Sequence, residues 1–335
     1  MLYEYVCTND LYYDKNMFDI MLYDIKNTDV QIMYKNICMP ITLKEKVFGN
    51  RVQRRHPWIS RGACKLCFHE LDGELRKRTS TDEIHILFYN VSIKYYSISR
   101  IKNYRKRFHN IRIDLLFIDS EKLSSSNAGY YMLKKCQSLF DNVYSVSKID
   151  AEKHNAIKVN TPYSFVPEYA DFANQSVNYD IYWGGTLKGR DELIRSLIVE
   201  FKKESIDYLI DAYTWADEQK EIIWIGMAKS KNEFLPYGSM LKKTLLANVI
   251  LDVVKESMPI TLRTYEAVVY NKKLLTNNKE ILNFHYYDGV NIRYFEKMDD
   301  IDFSWIKDRK RPNYNYNNEF SITSILKTYK KDAAG

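Results

Sequence analysis

The residues best placed to do chemistry sit together in Thr261-Leu-Arg-Thr-Tyr-Glu-Ala267. Pro259 biases its predecessor away from helix, and Thr261 is a plausible N-cap. Leu262 to Tyr270 then predicts a helix of about two and a half turns. Arg263 and Glu266 are three apart, so they share a face next to its N-terminus. Free N–H groups with an arginine beside them make an anion site. A carboxylate one turn further in can accept two hydrogen bonds from a diol. Together these residues predict a nucleotide diphosphate site, with the pyrophosphate at Thr261, Leu262 and Arg263 and the ribose at Glu266. On that reading Glu266→Ala would weaken nucleotide binding and leave the fold intact. The alternative is an exposed Arg–Glu ion pair, contributing under about 1 kcal/mol.

Three further groups of residues invite a chemical reading. Gly184-Gly-Thr-Leu-Lys-Gly-Arg190 follows a predicted strand and precedes a helix. Gly184 and Gly185 read as a tight turn where backbone N–H groups could approach a phosphate, with charge from Lys188 or Arg190. Its spacing is neither that of a Walker loop nor that of a dinucleotide fingerprint. Asp10 and Asp119 each follow a predicted strand, and strand C-terminal ends face the ligand crevice in open α/β sheets. A carboxylate there can take a hydroxyl proton as general base; the alternative for each is a turn-capping aspartate. Cys64-x-x-Cys67, with His69 nearby, falls short of four zinc ligands, and no metal or other cofactor is expected.

The elements that must position these groups read as alternating strands and helices. The opening, Met1 to Cys7, Lys15 to Lys26 and Val30 to Tyr34, is βαβ-like. Strands are predicted at Ile84–Tyr89, Ile111–Ile118 and Asn142–Val146, with helices at Ile98–Phe108 and Tyr130–Phe140. Ser147 and Asp150 can start a further helix. Thr161 to Asn178 contains Pro162 and Pro167, lacks periodicity and reads as a linker. A second series follows, with strands at Tyr179–Trp183, Ile206–Asp211, Glu221–Gly226 and Val249–Val253. Helices are expected at Asp191–Lys203 and Met240–Ala247. Past the Thr261 helix come the strand Leu274–Thr276, a short strand at Asn291–Phe295 and a short helix at Ile301–Ile306. Strand–helix alternation of this kind predicts parallel α/β organisation.

Composition sets the broad class. The chain has 335 residues, 45% hydrophobic and 28% charged, which suits one large or two ordinary globular domains. Its net charge of +7 favours anionic partners such as nucleotides, polyprenyl phosphates or an anionic membrane surface. Six basic residues fall between Lys44 and Arg61. They predict either contact with an anionic lipid surface or a solvated basic loop. Five cysteines, an odd number, do not resemble a secreted disulfide framework. No signal peptide or membrane span is read, so a cytoplasmic protein is expected. Basic residues are dispersed, and no helix-turn-helix, zinc finger or RNA-recognition signature is visible, so no nucleic-acid partner is expected. The competing class is a non-catalytic nucleotide- or nucleic-acid-binding α/β protein using a basic surface.

Thr261-Leu-Arg-Thr-Tyr-Glu-Ala267 and Asn271-Lys-Lys-Leu-Leu-Thr276 resemble the donor-site region of bacterial glycosyltransferases of the GT-B fold. The group concerned makes capsular, exopolysaccharide and O-antigen chains. The resemblance runs from about Asn142 to Tyr294. It also aligns Ile118-Asp-Ser120 with the family's W-D-S and Phe140-Asp-Asn-Val143 with a family strand. The chain departs from the commoner Glu-x7-Glu form, since Glu256 and Glu266 are ten apart, so Glu256 receives no implied role. The resemblance implies two Rossmann-like domains with a cleft between them: an acceptor-side domain over residues 1–170 and a donor domain over 178–308. Residues 309–335 would form a crossover and a helix that returns to the first domain. It implies transfer of a sugar from a nucleotide-sugar donor to a glycan or polyprenyl-phosphate-linked acceptor in surface polysaccharide synthesis, without a metal. Donor binding would fall to Gly184, Gly185, Lys188, Arg190, Thr261, Leu262, Arg263 and Glu266. The base would be Asp119 or Asp10.

Overall fold

The structure is a computed structural model that describes residues 20–21, 23–24, 73, 75–90, 98–121, 133–134, 137–187, 189–213, 235–256 and 258–325. Asp10, Lys188, the Lys44–Arg61 stretch, Cys64 and Cys67, and the strands expected at 1–7, 30–34 and 221–226 lie outside these residues. Contacts divide the chain into two compact units, Met1–Lys15 with Ile25–Asn160 and Asn16–Asp24 with Thr161–Gly335.

In the first unit, β1 (Ile84–Tyr89), β2 (Ile111–Phe117), β3 (Asn142–Ser145) and β4 (Ile157–Lys158) form a sheet in sequence order. All three pairings are parallel. The reason is visible in Ile-His-Ile-Leu-Phe-Tyr of β1, five of whose six residues are buried, as a strand covered on both faces requires. Helix α1 (Ile98–Arg107) buries Ile101 and Tyr104 on one face and ends in Arg105, Lys106 and Arg107, which suits a helix C-terminus. Helix α2 (Lys148–His154) starts at Ser147, whose hydroxyl accepts from Asp150 N at 3.2 Å.

The longer segment of the second unit, from Thr161, opens with a stretch expected to be a linker. Instead, residues 167–174 form helix α3 (Pro167–Asn174). Pro167 occupies the first turn, where its missing N–H costs nothing and its fixed φ is favourable. The residues before it are held by tyrosines: Thr161 N donates to Tyr265 Oη at 3.1 Å and Val166 N to Tyr270 Oη at 3.2 Å.

The sheet of this unit contains β5 (Tyr179–Thr186), β6 (Tyr208–Tyr213), β7 (Ala247–Asp252), β8 (Lys273–Thr276) and β9 (Ile292–Tyr294). Their order is β6-β5-β7-β8-β9, again all parallel. Every residue of β7 is buried. Helix α4 (Asp191–Lys203) covers one face with Ile194, Leu197, Ile198 and Phe201, a stripe of helical period. Helix α5 (Tyr237–Leu245) precedes β7, and α6 (Leu262–Val269) lies between β7 and β8. Helix α5 starts three residues earlier than its sequence suggested, because Pro236 is its N-cap. The short α7 (Phe303–Lys307) follows β9, and its Trp305 and Ile306 pack into the same core as α4. The strand order reverses between β5 and β7, which makes their C-terminal ends the topological switch point of the sheet.

Candidate functional site

Helix α6 begins as expected at Thr261, which has extended backbone angles. The backbone N–H groups of Leu262 and Arg263 have no acceptor among the described residues. The helix closes in a Schellman motif: Lys272 N bonds Ala267 O at 2.8 Å and Asn271 N bonds Val268 O at 3.3 Å. Asn271 takes the required left-handed conformation, with φ of 53°.

Arg263 and Glu266 do pair, with Nη1 at 2.6 Å from Oε2 and 2.8 Å from Oε1. The pair is not on the surface. Glu266 has 0% exposure, and the Arg263 side chain has 11%. Arg263 Nη2 also reaches Gly184 O of β5 at 3.1 Å. Glu266 Oε1 accepts from Tyr237 Oη at 2.6 Å, and Tyr163 Oη lies 3.1 Å from that phenol. Burial alone would depress the Arg263 charge, but the Glu266 carboxylate beside it raises its pKa above the ordinary arginine value. Burial, then Glu266, push the Tyr237 phenol up in turn. The exposed-pair reading therefore does not hold. Nor does the expectation that Glu266 can be removed at no cost to the fold, since its carboxylate neutralises a buried guanidinium. Here Glu266 holds Arg263 in place, and a diol would reach it only by displacing Tyr237 or Arg263.

Gly184 and Gly185 do not form a turn. Both lie in β5, paired with Asp211 and Ala212 of β6. Gly184 is needed for space: a Cβ there would sit 2.5 Å from Tyr182 Oη and 3.1 Å from Met240 Cγ. The left-handed glycine of this segment is Gly189, with φ of 77°. Arg190 turns back along the sheet edge. Its Nη1 donates to Val253 O at 2.9 Å, its Nε to Leu187 O at 3.2 Å, and its guanidinium lies 5.7 Å from the Trp183 ring centroid. Arg190 thus bridges the ends of β5 and β7 across the switch point. Burial lowers its pKa below the usual arginine value. Asp252, the last residue of β7, accepts from Thr276 Oγ1 at 3.0 Å, with Thr261 beside it. Burial raises the Asp252 carboxyl, against the hydroxyls and the charges of Arg263 and Arg190.

Asp119 follows β2 in the first unit and is half-buried. Close by in sequence, Glu121 Oε2 accepts from Lys153 Nζ at 2.7 Å and lies 2.8 Å from His154 Nε2. Those hydrogen bonds hold the Glu121 carboxyl below its ordinary range. Among the described residues, no group of three or more His, Cys, Asp or Glu is gathered as metal ligands. No helix among them is long and apolar enough to cross a membrane.

Tyr163 and Tyr237 escaped the sequence reading. Each is one of 28 tyrosines, and nothing in its neighbourhood marks it. Only the tertiary fold, in which α5 and α6 both pack on β7, brings Tyr237 to Glu266.

No family model and no curated protein sequence matches the chain. Solved structures do match it over nearly its whole length. The catalytic domain of starch synthase IV from Arabidopsis thaliana, bound to ADP and acarbose, superposes with a TM-score of 0.60 at 10% identity, covering 98% of both chains. A glycosyltransferase from Rickettsia africae gives 0.56 at 13% identity, covering 98% of this chain and 97% of its own. UDP-N-acetylglucosamine 2-epimerase from Rickettsia bellii gives 0.53 at 12% identity, covering 99% and 96%. These likenesses and the two parallel sheets define an α/β protein of GT-B-like fold, as the sequence leads one to expect. That fold is common to transferases and to an epimerase.

Proposed function

We propose that the chain is a glycosyltransferase whose second unit binds the nucleotide-sugar donor at the C-terminal ends of β5 and β7. One observation carries this reading. The free N–H groups that open α6 and the Arg263 guanidinium converge on the switch point of a parallel sheet, beside the half-buried Gly185 and Thr186. Such an edge favours a diphosphate electrostatically and sterically. Arg190, Thr261 and Gly184 shape its floor, and Lys188, two residues before Arg190 in sequence, adds charge for the donor diphosphate. Glu266 supports the ribose end or, as folded, Arg263. In the first unit, Asp119 is the base that takes the acceptor hydroxyl proton. The acceptor is a glycan, lipid-linked in bacterial surface polysaccharide synthesis, and the basic stretch from Lys44 to Arg61 rests on the inner membrane face.

Leu262→Pro tests the donor site with little risk to the fold. Leu262 is the first helical residue, where proline is tolerated, and the extended Thr261 suits a following proline. The change deletes one free N–H. A hydrogen bond to a charged group contributes about 1.5–3 kcal/mol, so affinity for UDP, ADP or GDP should fall about ten- to a hundredfold. Affinity for the bare nucleoside should not change. Calorimetric titration in which the parent binds none of these diphosphates, or the variant binds them equally well, rejects the site. Asp119→Asn should keep nucleotide binding and lose acceptor-dependent release of nucleoside diphosphate. Interconversion of nucleotide sugars without any acceptor would favour epimerisation instead.

A further inference from the structure

A cavity of about 350 Å³ opens at the other edge of the same sheet, where the chain enters β7 and β8. Asn248 is the second residue of β7, and Asn271 and Lys272 immediately precede β8. The remaining wall comes from Ala173 at the end of α3, residues 175–177 before β5, and Arg309, Arg311 and Pro312 beyond α7. Its charged lining residues are Lys272, Arg309 and Arg311; no carboxylate lines it among the described residues.

Lys272 is only 4% exposed. Its Nζ donates to Ala247 O at 3.0 Å and has no other partner among the described residues. An ammonium carries three hydrogens, so two are left without an acceptor. Burial, with the nearby Arg311 charge, lowers its pKa to about 8. Arg311 donates to Ala173 O at 2.5 Å and to Asn174 Oδ1 at 3.0 Å, closing the end of α3. That leaves most of its fork unused. Arg309 alone has a carboxylate, Asp180 Oδ1 at 2.5 Å. Helix and strand ends account for one bond from Lys272 and two from Arg311. They do not account for two cations sharing a cavity with neutral acceptors only, one of them buried, an arrangement that costs stability unless an anion completes it.

We propose that this cavity binds the phosphate group of a small molecule through Lys272 and Arg311, at a site remote from the switch point. The reading is independent of the nucleotide assignment. A water occupies about 30 Å³, so the cavity exceeds what a lone ion needs and falls at the small end of ligand pockets, roughly 300–1,000 Å³. Gln175 and Ser176 on its wall are available to hydroxyl groups of the phosphate's bearer.

The test is thermal unfolding and calorimetric titration of the full chain with inorganic phosphate and with glucose 6-phosphate, against chloride at matched ionic strength. Both phosphates should raise the unfolding midpoint where chloride does not. Arg311→Gln and Lys272→Met should each weaken phosphate binding at least tenfold. Arg311→Gln changes an exposed side chain, so at least this variant should fold. Tighter binding of glucose 6-phosphate assigns a phosphate ester as the source; equal affinity assigns free phosphate. Equal stabilisation by chloride, or parent-like phosphate binding in both variants, overturns the proposal.

Discussion

Replacing Glu266 by alanine should damage the second unit before it can report on any ligand. The carboxylate has no exposed surface and holds a guanidinium that is 11% exposed. Its removal strands that charge among Gly184 O, Thr244 and Met240, none of which is anionic. It also takes from the Tyr237 hydroxyl its hydrogen bond to the carboxylate, at 2.6 Å. Breaking a buried ion pair from one side costs about 3–5 kcal/mol. For a unit of this size, each kcal/mol lowers the midpoint by roughly 2–4 °C, so a fall of roughly 6–20 °C is expected. Glu266→Gln keeps the volume and one carbonyl acceptor, and should cost less than the alanine. Tyr237→Phe removes one hydrogen bond to a charged group and should cost about 1.5–3 kcal/mol. Because Tyr237 and Glu266 share that bond, Tyr237→Phe combined with Glu266→Ala should cost less than the sum of the two. Trp183 and Trp305 both lie in the second unit, so fluorescence-detected unfolding reads the relevant transition. A midpoint for Glu266→Ala within 2 °C of the parent would refute the buried-pair reasoning. Additive costs in the double variant would refute the coupling.

Two other outcomes follow from charge. Vesicles containing anionic lipid should retain the protein more strongly than neutral vesicles at low salt, and the difference should vanish as salt rises; equal retention removes the Lys44–Arg61 stretch as a membrane contact. Burial raises the Asp114 carboxyl to about 6 from its ordinary 3.8, against the opposing Arg112 charge and Asn142 hydrogen bond. The folded state therefore takes up this proton first as pH falls, so the penalty is complete above about pH 6 and is relieved towards pH 4. That relief amounts to about 3 kcal/mol at one pKa unit per 1.36 kcal/mol. Parallel pH series of unfolding for the parent and Asp114→Asn should show the parent gaining on the variant over this window; parallel curves would contradict it.

The sequence by itself determined the elements whose cause is local. Short runs dominated by apolar residues, such as Ile86–Tyr89 of β1, Leu115–Phe117 of β2 and Val249–Leu251 of β7, announced these strands, because a strand buried on both faces needs no strict alternation. The stripe of Asp191–Lys203 and the Ser147 cap were legible for the same reason: each depends on residues within a few turns of one helix. The position of Arg263 and Glu266 on one helix face was equally plain. Its burial was not, since that depends on Gly184, 79 residues earlier, and Tyr237, 29 residues earlier. Tertiary contacts also decided α3, where Tyr265 and Tyr270 fasten the preceding chain from 104 residues away. They decided that Gly184 and Gly185 continue a strand, because β6 supplies partners that a lone Gly-Gly pair does not announce. The cationic cavity is the extreme case: residues from 173 to 312 meet only because parallel strands place the starts of distant segments side by side.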